Sequence, residues 1–359
     1  MQSSMADVAE RAGVSVTTVS RALRQSALVS PETRARVLAA ADELSFAVSR
    51  AASSLATGRL GRVGVLVSGH LGAWFNGSIL DGIYGHLHER GLELLIYRIN
   101  NRSERGEFFA TLPARRNADA LIVASFALSP EEQQRLRELS MPLVYLNQSA
   151  PGSPSVSIDD VAGARMGARH LLNLGHQRIA YVRTVGQAGF FYSATQREQG
   201  FRVELEAAGV PEQEQLILSA PSTTDGEQVV AQHLSQPLLP TALMVESDEL
   251  ALSVMAACWR MGLRTPEDVS VLGFDDHAMA GTFGLSTIAQ PVDQLGRQAA
   301  AMAMGLVTAT TGSEEIDRGN GGEDPGVGPS VVTVPTRLVL RDSTARPPVR
   351  DVRGAAAAS

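Results

Sequence analysis

The residues with the clearest capacity for polar contacts lie near the N-terminus, in the stretch Val16-Thr17-Thr18-Val19-Ser20-Arg21. It combines a guanidinium group, which only donates hydrogen bonds, with hydroxyl groups that can donate or accept them. If the stretch is helical, Val19, Ala22 and Leu23 face inward. The outer face then carries Val16, Thr17, Ser20 and Arg21, and it could contact a partner rich in acceptors.

Three short helices are predicted to position this face. Apolar residues at i, i+3, i+4 and i+7 predict a first helix that Gly13 ends; they are Met5, Val8, Ala9 and Ala12. Ser15 is a candidate N-cap for the second helix, and Ser30-Pro31 begins a third. The expected core stripe of that third helix is Val37, Leu38, Ala41 and Leu44. This spacing favours a helix-turn-helix, whose second helix enters the major groove of DNA, although other small helical bundles share the pattern.

Catalytic and metal-binding chemistry find no support. The single cysteine, Cys258, lies in an apolar run and is expected to be a buried core thiol. His176 has no second His or Cys at ligand spacing, so a structural role at a helix end is expected. The glycines from Gly61 to Gly69 match neither a dinucleotide-binding nor a P-loop pattern. We therefore expect no enzyme activity, no cofactor and no metal.

Charge is distributed unevenly along the 359 residues, whose formal net charge is -7. Residues 1–62 contain eight Arg and five acidic residues, so the head is mildly basic and the remainder acidic. This balance suits a protein that meets phosphate with one end only. Neither a membrane-spanning run nor a signal peptide is recognisable, so a cytoplasmic location and no membrane partner are expected.

From Val63 onward, short apolar runs alternate with helical stretches. This alternation predicts parallel, doubly wound sheets, and the number of runs favours two similar α/β lobes. Ligands of such folds bind beyond the carboxyl ends of the strands. The runs are Val63–Val67, Leu94–Tyr97, Ala120–Ala124, Leu143–Leu146, Ile179–Val182, Leu216–Leu218, Ala242–Val245 and Val269–Leu272.

Several longer segments carry a family resemblance that covers nearly the whole chain. In the head they are Asp7–Ser15, Thr18–Leu23, Val29–Arg34 and Ala41–Leu44. In the body they are Ser157–Asp160, Gly175–Ala180, Arg197–Phe201, Pro266–Asp276 and Thr287–Pro291. Together they resemble the LacI/GalR family of bacterial transcriptional regulators. The resemblance implies an all-α helix-turn-helix domain followed by an α/β two-lobed, periplasmic-binding-protein-like domain.

The resemblance assigns DNA contacts by position. Val16, Thr17 and Arg21 match base-reading positions, where Arg21 could donate two hydrogen bonds to guanine. Ser15, Thr18 and Ser20 match contacts to backbone phosphate. Leu55 matches a leucine that enters the minor groove from a hinge helix. Because the hinge is short and rich in Ser, its folding is expected to depend on DNA, and a plain flexible linker is the alternative.

The resemblance also implies a small-molecule effector, a sugar or related metabolite, bound between the lobes. Arg197 and Asp275 match positions that hold ligand hydroxyls, with a structural ion pair as the alternative. Four further effector-binding positions are matched by Ser193, Asn147, Ser247 and Gln290. Of these, Ser247 replaces the usual Asn of the family, so the class of ligand could differ.

The expected organisation is a headpiece at residues 1–46, a hinge at 47–60, the two-lobed domain at 61–345 and a disordered tail at 346–359. Residues 312–330 are expected to form a mobile loop before a last strand at Val331–Leu340. Without apolar heptads near the C-terminus, a homodimer on a pseudo-palindromic operator is predicted. The function indicated is a repressor whose operator affinity an effector controls. A cytoplasmic solute-binding receptor and an enzyme on the same scaffold are the alternatives.

Overall fold

The computed structural model describes residues 4–23, 28–44, 59–125, 127–148, 152–185, 193–211, 215–316 and 330–348. The chain divides into two compact units, Met1–Gly61 and Arg62–Ser359.

The first unit contains three helices among its described residues: α1 (Met5–Ala12), α2 (Val16–Leu23) and α3 (Pro31–Glu43). The predicted caps are confirmed. Gly13 ends α1 with φ 64°, which a residue without Cβ adopts readily. Ser15 Oγ accepts a hydrogen bond from Thr18 N at 3.1 Å, and Ser30 Oγ accepts one from Thr33 N at 3.2 Å.

A small apolar core holds these helices together, and Val8, Val19 and Val37 are completely buried in it. One predicted core position is wrong. Leu38 is 50% exposed, whereas Ala40 is buried. At this point of α3 the side chain that faces the core is that of Ala40. It is small, which suits the packing of α3 against both α1 and α2.

The second unit begins with a first lobe built on a six-stranded parallel sheet, in the order β11-β5-β4-β3-β1-β2. Its strands are β1 (Arg62–Ser68), β2 (Glu93–Ile99), β3 (Ala120–Ala124), β4 (Leu143–Leu146), β5 (Ser155–Ile158) and β11 (Val331–Val334). Its helices are α4 (Trp74–His88), α5 (Arg102–Thr111), α6 (Ala114–Asn117), α7 (Pro130–Arg137) and α12 (Val292–Ile316).

A second lobe is built on another six-stranded sheet, in the order β12-β10-β9-β8-β6-β7, in which only β12 is antiparallel. Its strands are β6 (Ile179–Thr184), β7 (Leu216–Ala220), β8 (Ala242–Val245), β9 (Ser270–Asp275), β10 (Ser286–Ala289) and β12 (Arg337–Val339). Its helices are α8 (Asp160–Asn173), α9 (Ser193–Ala207), α10 (Gly226–Leu234) and α11 (Asp248–Arg260).

Each sheet has an apolar core on both faces, so the doubly wound fold class is confirmed. In the first lobe, Ile79 and Leu295 pack on one face, and Phe108 and Leu136 on the other. The second lobe repeats this arrangement with its own helices on the two faces of the sheet. Among the described residues, no helix is both long and apolar enough to cross a membrane.

The chain passes between the lobes at three places in its described part: after β5, after β10 and between β11 and β12. The predicted last strand is therefore wrong as a single element, because Val331–Val334 and Arg337–Val339 belong to different sheets. Residues 312–316 of the predicted loop at 312–330 are helical, since α12 continues to Ile316, and residues 317–329 lie outside the described residues. Residues 346–348, expected in the tail, continue the body, where Pro347 lies beside Gly175.

Candidate functional site

The head presents one polar face, on α2. Val16 is 47% exposed, and Thr17 and Arg21 are also exposed, while Val19 on the opposite side is buried. Ser15 caps the helix, and its Oγ lies 2.8 Å from Thr18 Oγ1. Ser20 is half-buried at the edge of the face. The three predicted base-reading residues thus share a solvent-facing surface, whereas Leu55 lies outside the described residues.

The second unit contains a cleft between its lobes with a volume of about 520 Å³. The cleft is lined by residues at the carboxyl ends of three strands from each sheet: Ser68, Ser125 and Asn147 in the first lobe, and Thr184, Glu246 and Asp275 in the second. This is the place that the fold predicts for a ligand. Three of these residues, Ser125, Asn147 and Asp275, have positive φ angles of 48°, 54° and 124°, so backbone strain is concentrated at the cleft.

Arg197 organises the floor of this cleft. Its Nε donates to Asp160 Oδ1 at 2.8 Å, and its Nη1 donates to Asp275 Oδ1 at 3.1 Å and to the Glu246 carbonyl oxygen at 2.7 Å. The guanidinium also lies 3.7 Å from the centre of the Phe274 ring, a cation–π contact. Arg197 lies on α9 and Asp275 ends β9, so the ion pair joins these two elements.

In this network, burial disfavours the charged forms of the side chains, whereas the ion pairs between them favour the charged forms. Burial raises the pKa of Asp275 to about 6, although Arg197 and Gln290 favour its charged form. For Arg197, burial opposes the charge, but the Asp275 and Asp160 carboxylates outweigh it and raise the pKa. The floor therefore holds a guanidinium between the carboxyl groups of Asp275 and Asp160, an arrangement that can accept and donate hydrogen bonds to a polar ligand.

Asn147 and Ser193 join the two lobes across the cleft. Asn147 Nδ2 donates to Ser193 Oγ at 2.9 Å and to Ser125 Oγ at 3.2 Å. A second contact between the lobes is formed by Trp74, whose ring lies 5.2 Å from that of His277. Groups that could touch a ligand therefore also hold the lobes in their present closure.

The remaining two predicted effector residues differ in placement. Ser247 lines the cleft and also caps α11, since its hydroxyl accepts a hydrogen bond from Leu250 N at 3.5 Å. Gln290 is buried behind the cleft floor, where its Nε2 donates to Asp275 Oδ1 at 2.6 Å. The geometry gives Gln290 the role of positioning Asp275.

Sequence reasoning missed several residues of this site, above all Asp160 and Glu246. Asp160 is buried and pairs with Arg197, and Glu246 lines the cleft directly after β8. A signal for Glu246 was available, because it directly follows the apolar run Ala242–Val245 and strand ends face the ligand in this fold. Asp160 ends the segment Ser157–Asp160 that carries the family resemblance, but nothing in it indicated a pairing with Arg197, which lies 37 residues later.

The two residues considered for catalysis have structural surroundings. His176 is buried, with Nδ1 2.8 Å from Thr241 Oγ1 and Nε2 2.8 Å from the Ala345 carbonyl oxygen. Cys258 is fully buried in the second-lobe core, and burial raises the pKa of its thiol to about 11. His176 therefore links separate segments of the second lobe, and Cys258 fills part of its core.

Comparison with protein families assigns both parts of the chain. Residues 4–49 match the family of bacterial regulatory proteins called the lacI family, and residues 168–344 match the periplasmic binding protein-like domain. The chain is 30% identical to the transcriptional regulator DegA of Bacillus subtilis over 305 residues, which cover 83% of this chain and 89% of DegA. It is 29% identical to the transcriptional repressor PurR of Yersinia pestis over 359 residues, covering 97% of this chain and 98% of PurR.

Solved structures agree with this assignment. The Lac repressor dimer bound to operator and an anti-inducer superposes with a TM-score of 0.79 at 27% identity, covering 96% of this chain and 100% of that chain. The regulator CelR in complex with cellobiose gives a TM-score of 0.66 at 26% identity, covering 95% and 100%. With the exposed face of α2 and the cleft between two lobes, these similarities show that the chain is a transcriptional regulator belonging to the LacI family.

Proposed function

We propose that this protein binds a pseudo-palindromic operator as a homodimer and represses transcription, and that a small polyhydroxylated effector in the cleft controls its operator affinity. The observation that carries the proposal is the Arg197–Asp160–Asp275 network, of which Arg197 and Asp275 line the cleft. Its role is binding rather than catalysis, and its place of action is the cytoplasm, where a chromosomal operator lies.

The DNA part rests on α2. A helix with its apolar side buried and Thr17 and Arg21 exposed fits the major groove, where Arg can bind the O6 and N7 atoms of guanine. Val16 adds a methyl contact, and Ser15, Thr18 and Ser20 add phosphate contacts. We assign residues 1–46 to this headpiece, residues 47–60 with Leu55 to a minor-groove hinge, and the following residues to the effector domain.

The effector part rests on the polar lining of the cleft. Arg197, Asp275, Asn147 and Ser193 offer both donors and acceptors, as a ligand with several hydroxyl groups requires. CelR was solved with cellobiose, and a LacI-family regulator of Enterococcus faecium, at 27% identity and a TM-score of 0.66, with ribose. We therefore place the effector among sugars and related metabolites.

Coupling follows from where the binding groups lie. Asp160 comes directly after the first passage between the lobes, and Gln290 lies in the second, between β10 and α12. The Asn147–Ser193 hydrogen bond joins the lobes directly. A ligand that binds one lobe closure more tightly than another would shift the population of that closure, and with it the affinity for DNA.

The test is fluorescence-anisotropy binding of the full chain to DNA from its own upstream region and to a scrambled duplex. Salt is held fixed, because phosphate contacts make affinity depend on it. Each titration is repeated with a panel that includes ribose, glucose, cellobiose and sucrose. We expect tight binding to one DNA only, shifted by at least one compound.

Two controls separate the parts of the proposal. A chain lacking residues 1–61 should lose DNA binding and keep effector binding, since the second unit is compact by itself. Equal, weak binding to both duplexes together with intact sugar binding would contradict the operator-binding part. That result would favour a cytoplasmic solute-binding receptor.

A further inference from the structure

Glu246 has a carboxylate oxygen that the protein leaves without a donor. The residue is only 7% exposed and lines the cleft. Its Oε1 accepts from Thr184 N at 2.7 Å and from Thr184 Oγ1, whereas its Oε2 is buried and has no hydrogen-bond partner among the described residues. A buried acceptor without a donor costs free energy, and the cost is larger for a charged group.

Among the described residues, no Arg or His side chain donates a hydrogen bond to the Glu246 carboxylate. Arg197 donates to the backbone carbonyl oxygen of Glu246, and its guanidinium is engaged by the Asp160 and Asp275 carboxylates. Accordingly, burial raises the pKa of Glu246, although Thr184 and Arg197 favour its charged form. The described protein groups thus donate hydrogen bonds to Oε1 of Glu246 and leave Oε2 without a donor.

The cleft as a whole has more acidic than basic groups. Its lining includes the carboxylates of Glu246, Glu249 and Asp275, against the guanidinium of Arg197 and the imidazole of His70. A second buried acceptor, Asn147 Oδ1, belongs to a residue that lines the same cleft, and it also has no partner in the described part of the chain. Unpartnered acceptors and excess negative charge both favour a ligand that donates hydrogen bonds and carries positive charge.

We propose that Glu246 is a specificity-determining residue that pairs with a protonated amino group of the effector, so that the effector is an amino sugar or a similar polyhydroxylated amine. This inference rests on the proposed function, because it assumes that the cleft binds the effector. The hydroxyl groups of such a ligand would be held by Arg197, Asn147 and Ser193, and its ammonium group would supply the missing donor and charge.

The experiment is a calorimetric titration of the full chain with matched hexoses that differ at one substituent: the amine, the hydroxyl and the uncharged acetamide. Glucosamine, glucose and N-acetylglucosamine form one set, and the corresponding galactose and mannose compounds form two more. We expect an amine to bind at least about tenfold more tightly than both matched compounds, because a desolvated ion pair adds on the order of that factor.

Glu246→Gln tests the residue. This uncharged isostere should lower the affinity for the amine about tenfold and leave that for the hydroxyl compound within about threefold. Its thermal midpoint should equal or exceed that of the wild type, since a buried unpaired carboxylate is removed. Glu107→Gln removes an exposed carboxylate on α5 and should change neither affinity.

The outcomes separate the two proposals. Tight binding of neutral hexoses without preference for the amine would overturn the inference and leave the effector-controlled regulator intact. Equal losses for amine and hydroxyl compounds in Glu246→Gln would also overturn it. If no compound of either kind binds, the inference fails together with the assignment of the cleft to a sugar-like effector, while operator binding is judged by its own test.

Discussion

At the scale of single residues, the charged groups of this protein divide into those that face solvent and those that the fold buries. Arg21 on α2 is exposed, whereas Arg197 on α9 is enclosed by two carboxylates and an aromatic ring. Arg21 is free to contact DNA, and its replacement should change the free energy of unfolding little. Arg197 cannot be removed without leaving buried charges unpaired.

Replacing Arg21 by Ala tests base reading. If Arg21 donates two hydrogen bonds to one guanine, the variant should lose about 1–3 kcal/mol of discrimination at one operator base pair. Competition anisotropy with a set of single-base operator variants measures this loss. Arg36→Ala, an exposed Arg on α3, is the control and should weaken binding to all sequences alike or not at all. An equal loss for Arg21→Ala on every sequence would identify it as a phosphate contact.

A second substitution, Arg197→Lys, keeps the charge and removes the planar fork. One ammonium group cannot reach Asp160, Asp275 and the Glu246 carbonyl oxygen together, so the unfolding free energy should fall by on the order of 3 kcal/mol and effector affinity by at least about tenfold. Urea unfolding followed by tryptophan fluorescence reports the second unit, because Trp74 and Trp259 both lie there.

The matched control for Arg197→Lys is Arg183→Lys. Arg183 pairs with Glu198 at 2.6 Å, but its side chain is 47% exposed. Such a pair contributes at most about 1 kcal/mol, so its replacement should shift stability by less than that. Equal losses of unfolding free energy in the two variants would show that the buried ion pairs of Arg197 stabilise the fold no more than the exposed pair of Arg183.

At the scale of elements, the close approach of α4 and α12 depends on residues without side chains. A Cβ at Gly296 would overlap the backbone carbonyl oxygen of Ile79, and one at Gly82 would overlap that of Asp293. These contacts involve backbone atoms, which cannot rotate away as a side chain can. The two helices can therefore approach each other this closely only while both positions remain Gly.

Gly296→Ala should lower the unfolding free energy of the second unit by about 1–3 kcal/mol, because the added methyl group overpacks this interface. The control lies on the same helix. A methyl group at Gly305 would meet no described atom within 4 Å, so Gly305→Ala should stabilise by about 0.5–1 kcal/mol through helix propensity alone. Urea unfolding curves of the two variants should shift in opposite directions, and a shift in the same direction would contradict the account.

At the scale of the whole molecule, the two-lobed unit is built so that ligand chemistry and lobe geometry share residues. The Asp160 and Gln290 side chains extend from the passages between lobes to Arg197 and Asp275. The chain crosses between lobes near these groups, so a change in occupancy of the cleft acts where the lobes are joined. Under the proposed function, this placement, rather than distance, would couple a ligand to operator affinity.

Stability of the whole unit should also depend on pH through Asp248. Burial and the nearby Asp275 charge raise the pKa of Asp248 to about 8, while Thr287 and His277 N donate to its two oxygens at 2.7 and 2.8 Å. Because the folded-state pKa exceeds the ordinary value of 3.8, this stabilising contribution is complete below that value and is lost as the pH rises through about 8. Between pH 6 and 9 the unfolding free energy should fall by on the order of 2 kcal/mol.

Asp248→Asn should flatten that pH dependence, and urea unfolding at several pH values measures it. Asp81→Asn removes an exposed carboxylate and should leave the slope unchanged. If the unfolding free energy of Asp248→Asn keeps the pH dependence of the wild type, a group other than Asp248 causes it.

Signals between neighbouring residues of the chain were enough to predict the local elements of this protein. Caps, apolar periodicity and buried runs placed α1 to α3 and most strands near their observed bounds, because these signals come from neighbours in the chain. Ser15 and Ser30 cap their helices, and the runs at Ala120–Ala124 and Ala242–Val245 are strands with those bounds. The resemblance also indicated that Arg197 and Asp275 belong to the cleft; their ion pair was only the alternative there, and their contact with a ligand stays a prediction.

Tertiary structure alone decided which residues meet. Val331–Leu340 reads as one strand, yet its two halves join different sheets. Val331–Val334 pairs with β5 of the first lobe, and Arg337–Val339 pairs with β10 of the second. Gln290 stands behind Asp275, and Glu246 lines the cleft with one buried carboxylate oxygen that the described protein groups do not satisfy. Packing of distant elements sets burial, and burial determines whether a carboxylate is an ordinary surface charge or a group that requires a partner.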